Sequence, residues 1–140
     1  MKKIIHFLNI NKPANQVFEA IATAEGLSNW WSTQVTSEGK IGGIIDFTFR
    51  DDFNPDMKIT SMTPSRELKW KCIAGHEKWQ DNEFTFEMNE HNGITQLKFT
   101  QLYAKELSDE DYGIYNFNWG YYLYSLKEFC EKGRGKPFNP

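Results

Sequence analysis

Cysteine is nearly absent from this 140-residue sequence: Cys72 and Cys130 are the only two, and no Cys-x-x-Cys spacing joins them. A disulfide framework is therefore not expected, and both thiols read as small, reduced, buried hydrophobes. Histidine is as scarce. His6, His76 and His91 fall on a predicted strand, a loop and a hairpin turn, without the paired spacing a zinc site needs, so neither a metal nor another cofactor is expected. Basic charge is not in excess. With 16 Lys and Arg against 19 Asp and Glu, the net charge is −3 at pH 7, which provides no field for nucleic acid or an anionic membrane. The N-terminal MKKIIHFLNINKP carries two lysines and a brief apolar run, but Asn9 and Asn11 interrupt it. It is too short to insert into a membrane or to act as a leader, so a mature, cytoplasmic chain is expected. No nucleophile elbow, P-loop or dinucleotide fingerprint is present. Gly39, Gly42 and Gly43 precede a strand, whereas a phosphate cradle precedes a helix.

What the sequence does have is rings. Phe (11), Tyr (6) and Trp (5) make up 16% of a chain whose apolar fraction is an ordinary 39%, so much of the core must be aromatic. Such interiors fill space in coarse units and carry polar handles on Tyr and Trp, and they often border cavities.

Residues 3–10 (KIIHFLNI) are β-branched and aromatic and read as a first strand. Pro13 then suits the first turn of a helix in which Val17, Phe18 and Ile21 recur at helical spacing. A second short helix is predicted over roughly 24–31, ending at Trp30–Trp31, with a flexible glycine-containing entry to the sheet behind it. Five strand signals follow between 41 and 103, separated by short turns, and predict an antiparallel meander. Alternation puts Ile45, Phe47, Phe49, Trp70, Phe86 and Phe99 on one face and Asp46, Arg50, Lys58, Lys69 and Lys98 on the other.

A one-sided sheet needs a cover. Ser108-Asp109-Glu110-Asp111 resembles a capping box and Gly133 sits where a helix would stop, which predicts a helix over 109–132 of roughly 36 Å at 1.5 Å per residue. Tyr112, Tyr115, Trp119, Tyr122, Leu126 and Phe129 form a stripe that would face the sheet. Phe117, Tyr121 and Tyr124 form a second row, which predicts that the front of this helix is enclosed on more than one side.

Candidate ligand contacts follow from these faces. The aromatic walls are Trp31, Phe47, Phe49, Trp70, Trp79, Phe86, Phe99 and Trp119. The inward polar groups are Ser61, Cys72 and Gln101 on the sheet, with the hydroxyls of Tyr112, Tyr115 and Tyr122 on the helix. Each would cost about 1–3 kcal/mol if buried without a partner, so each must pair internally, reach water or meet a ligand. His76 and Glu77, at the rim, could exchange protons near neutral pH, although neighbours on an extended chain point apart.

The N-terminal strand followed by PANQVFEAIATAEGLSNWW, the Gly-Gly before the next strand, ITSMTPSRELKWKC and the closing NWGYYLYSLKEFCEKGRGKPF together resemble the START/Bet v 1-like (SRPBCC) superfamily. The group that the chain most resembles is the C-terminal domain of the heat-shock chaperone ATPase activator. The resemblance implies an α+β helix-grip fold, a curved six-stranded antiparallel sheet in the order β-α-α-β5-α around a long C-terminal helix, occupying 1–140 as one domain. Where the family usually has Gly-Trp, this sequence has Asn118-Trp119. The chaperone activator acts through an additional N-terminal domain that these residues do not include, which argues against ATPase stimulation.

Fold does not choose among the superfamily's functions. The expected function is non-enzymatic binding of a small hydrophobic or amphiphilic molecule between sheet and helix. The alternatives are an enzyme of cyclase, dehydratase or hydrolase type using His76, Glu77 or Tyr115, and a protein-interaction module or homodimer using the outer sheet face or the tail around Phe138.

Overall fold

A computed structural model describes residues 2–140. The elements run β1 (Lys3–Ile10), α1 (Ala14–Ala22), α2 (Ala24–Ser28), β2 (Gln34–Ser37), β3 (Ile44–Thr48), β4 (Asp56–Thr63), β5 (Glu67–Ala74), β6 (Glu83–His91), β7 (Ile94–Leu102) and α3 (Asp109–Lys132). All strand pairs are antiparallel, in the order β1-β7-β6-β5-β4-β3-β2. This is the α+β helix-grip arrangement, with seven strands where six were expected. The additional strand is β2, whose polar QVTS pairs in register with β3 at the sheet edge. Its alternation is too weak to signal a strand without the partner.

The break between α1 and α2 falls at Thr23. The Thr23 hydroxyl donates to Glu19 O and accepts from Gly26 N, both at 2.9 Å, ending one helix and starting the next. Gly26, inside α2, permits close packing. A Cβ there would lie 2.5 Å from Glu19 O, so glycine lets the two helices touch. Trp30 is buried beneath them with its indole donating to Ala20 O at 2.8 Å.

Helix α3 begins and ends where its caps direct. Ser108 Oγ accepts from Asp111 N at 3.1 Å, and Gly133 adopts φ 77°, the left-handed conformation of a C-terminal glycine. Trp119, Leu123 and Leu126 are buried against the sheet, while Tyr112, Tyr115, Tyr122 and Phe129 pack partly against it. The second aromatic row is not enclosed. Phe117 is 74% exposed, with Tyr121, Tyr124 and Ile114 beside it, because sheet and short helices close only one side of α3.

Alternation correctly assigns the sheet faces wherever pairing is regular. It fails at Ser61. A bulge between Ile59 and Ser61 shifts the register by one residue, so Ser61 pairs with Lys69 on the outer face and hydrogen-bonds Glu67 Oε1 at 3.1 Å. Met62 takes the inward place opposite Leu68.

Candidate functional site

Between the sheet and the first half of α3 lies a cavity of about 330 Å³. One wall is a set of rings centred on Trp79, in which Trp31 and Trp119 are tilted 33° from one another. Trp79 stands 17° from Trp119 and 21° from Trp31, and His76 stacks on Trp79 at 4.3 Å and 3°. Trp31 comes from the turn after α2, His76 and Trp79 from the start and end of the link between β5 and β6, where Glu77–Trp79 form a 3-10 turn capped by His76, and Trp119 from α3. The rest of the lining includes Phe49, Phe53, Ile114, Tyr115, Tyr122 and Phe138.

Trp119 is fixed from below. Its indole N–H donates to Gln101 Oε1 at 2.7 Å, a buried bond between helix and sheet. Gln101 therefore has a partner in the helix and does not border the cavity. Beside it, the Trp79 indole and the Gln101 amide approach the buried Tyr103 hydroxyl without reaching full hydrogen-bond geometry. Burial pushes the Tyr103 phenol well above its ordinary pKa.

Of the residues singled out in the sequence, Trp31, Phe49, Trp79, Tyr115, Trp119 and Tyr122 line the cavity. The others lie elsewhere. Phe47, Trp70, Phe86 and Phe99 form a layer behind the wall: Phe47 meets Trp31 edge-on at 4.4 Å, Trp70 meets Phe86 at 4.9 Å, and Phe99 lies 4.1 Å from Trp119. Cys72 is buried with its thiol 3.5 Å from Ala74 O, its pKa pushed up by burial to about 11. Tyr112 sits beyond the cavity, under the Lys2 ammonium. Ser61 is on the opposite face of the sheet.

Arg50, Phe53 and Phe138 also line the cavity, and sequence reasoning missed them as contacts. Alternation places Arg50 on the outer face, but β3 ends at Thr48 and the chain turns sharply, with Asp51 at φ 50° and Phe53 N donating to Arg50 O. Periodicity stops where the strand does. Phe138 arrives because the C-terminal tail folds back: its N–H donates to Trp31 O and its carbonyl accepts from Thr33 N. The tail is thus part of the cavity wall, not a free docking segment. An apolar residue in each turn, Phe53 in DDFNP and Phe138 in GKPFNP, was the available signal.

Charge at the mouth is sparse. Lys78 Nζ lies 2.7 Å from Asp111 Oδ2, joining the 3-10 turn to α3, and this pairing lowers the Asp111 carboxyl and raises the Lys78 amine. His76 is held neutral, since burial lowers its pKa to about 4. Glu77, its neighbour in the chain and the other rim candidate, does not line the cavity. Among the described residues no group of three or more His, Cys, Asp or Glu could hold a metal ion, and no helix is long and apolar enough to cross a membrane.

An antiparallel sheet gripping a long helix, with an aromatic cavity between them, defines a START/Bet v 1-like helix-grip domain. A family model described as "Activator of Hsp90 ATPase homolog 1-like protein" matches residues 11–131, and the chain belongs to that family. No curated protein matches. Among solved structures, the Aha1 dimer from Colwellia psychrerythraea is 29% identical, with a TM-score of 0.86 over 96% of this chain and 100% of that one. Protein SSP2350 from Staphylococcus saprophyticus shares the fold at 20% identity and TM-score 0.74, covering 97% of each chain. DynU16, a putative protein in the dynemicin biosynthetic locus, shares it at 14% identity and TM-score 0.78, over 96% of this chain and 49% of that one.

Proposed function

We propose that this protein binds a small hydrophobic or amphiphilic molecule in the cavity between the sheet and α3. The observation that carries the reading is the cavity itself, about 330 Å³ and walled by Trp31, Trp79 and Trp119. That size lies at the lower end of small-molecule sites, and mostly apolar walls with a few polar groups are their usual lining. Of the buried polar groups nearest the wall, the Trp119 indole pairs with Gln101 and the Trp79 indole turns toward Tyr103, while His76 Nδ1 is left without a hydrogen-bond partner. A thermal-shift series with flavonoids, fatty acids and sterols tests the reading: at least one class raises the melting temperature as its concentration rises. No shift with any class at millimolar concentration would contradict it.

A second reading concerns assembly with another copy of the chain. The Colwellia structure is of a dimer. Here Ile114, Phe117, Tyr121 and Tyr124 form an exposed ridge at 3-4-3 spacing on α3, with Glu110 before it and Lys132 after it. Two such ridges packed antiparallel about a twofold axis would bury the rings, with Ile114 of each copy opposite Tyr124 of the other and Phe117 opposite Tyr121. Sedimentation of the wild type should show a dimer that Phe117→Ser converts to monomer. A monomeric wild type, or a dimer insensitive to that change, would contradict this arrangement.

A further inference from the structure

We infer that the ligand has a flat aromatic body, laid against the indoles of Trp31, Trp79 and Trp119, and a single anionic group seated on Arg50. This rests on the cavity being the binding site. Three observations lead to it.

The first is the geometry of the wall. Aliphatic side chains would suit a flexible tail of any shape, but His76, Trp119 and Trp31 stand 3°, 17° and 21° from the plane of Trp79, with Trp31 and Trp119 tilted 33° from one another. Parallel faces present one direction for stacking, and offset stacking at such faces selects planar partners.

The second is charge. The charged and titratable groups that line the cavity are Arg50, His76, Lys78, Asp111, Tyr115 and Tyr122. Lys78 and Asp111 neutralise one another, and burial keeps His76 uncharged at neutral pH. Burial also raises both tyrosines, so they stay protonated. Arg50 remains, and no carboxylate lies within ion-pair distance of it among the described residues. Asp51 and Asp52 follow it in the turn, yet neither lines the cavity.

The third is position. Arg50 is exposed, and its guanidinium lies 5.8 Å from the centre of the Phe138 ring, over an aromatic face at the cavity. A guanidinium there offers a planar fork of donors suited to a carboxylate, beside a surface that favours rings.

The test uses matched pairs: 2-naphthoic acid with 2-naphthalenemethanol, and decanoic acid with decanol, titrated calorimetrically at pH 7.5 and low salt. The wild type should bind naphthoate about tenfold more tightly than its alcohol, or about 1.4 kcal/mol. Arg50→Met should bring that ratio near one. Lys58→Met, which removes a cation from the outer face of the sheet, should retain it. Equal affinities for acid and alcohol in the wild type, or a ratio unmoved by Arg50→Met, would overturn the anion seat while leaving the cavity reading intact. Decanoate bound more tightly than naphthoate would overturn the flat body. Failure of all four probes at millimolar concentration would remove the cavity reading and this inference with it.

Discussion

Two residues make opposite contributions to stability in one pH window. His76 is buried and neutral, with its pKa lowered by burial to about 4, so an unfolded chain takes up a proton below about pH 6.5 that the folded one refuses. Its contribution is present above that point and is lost as pH falls toward 4. Asp56 acts in the other direction. Burial, then the hydrogen bond and repulsion from Asp46 directly across the β3–β4 pair, raise its carboxyl to about 6. The folded state therefore holds that proton, and the benefit disappears as pH rises from about 3.8 to 6. His76→Phe, which keeps a ring against Trp79, should flatten the loss of stability between pH 6.5 and 4 in urea titrations; an unchanged slope would show that His76 is not the cause. Asp46→Asn should raise stability at pH 7.5 by about 0.5–1 kcal/mol, the scale of a like-charge cross-strand pair, and give no gain at pH 4.

Among the elements, α3 shows most clearly what can be read from residue order. Its bounds were legible because Ser108 and Gly133 act through local backbone geometry, and the buried face was legible because 3.6-residue periodicity is local too. Ser108→Ala should lower stability by about 1 kcal/mol through loss of the cap. Gly113 lies inside the helix with open space where a Cβ would go, so nothing within the chain requires a glycine there. Gly113→Ala should stabilise the monomer by about 0.5–1 kcal/mol in denaturant titration; a loss would show that another copy packs against that position. The exposure of Phe117 was not legible, because it depends on what stands opposite the helix. The same holds for Ser61: the bulge that turns it outward belongs to the β4–β5 pairing, not to either strand alone.

At the scale of the whole molecule, alternation and family resemblance together identify the gripped helix, and six of fourteen candidate contacts line the cavity. The rest of the lining comes from places where local periodicity stops. Arg50 and Phe53 lie in a turn, and Phe138 is brought by a tail that returns to Trp31 from the far end of the chain. Phe47, Trp70, Phe86 and Phe99 face inward as alternation predicts but lie behind the wall, because an inward side chain on a curved sheet can face a cavity or another ring, and only packing separates the two.

The five tryptophans allow the central claim to be tested in one experiment. Trp31, Trp79 and Trp119 line the cavity, whereas Trp30 is buried under α1 and α2 and Trp70 lies behind Trp31. In a two-dimensional 1H–15N spectrum of the indole groups, titration with 2-naphthoic acid should move the Trp31, Trp79 and Trp119 resonances in a saturable manner and leave Trp30 in place. No movement at millimolar ligand, or equal movement of all five, would contradict binding in this cavity.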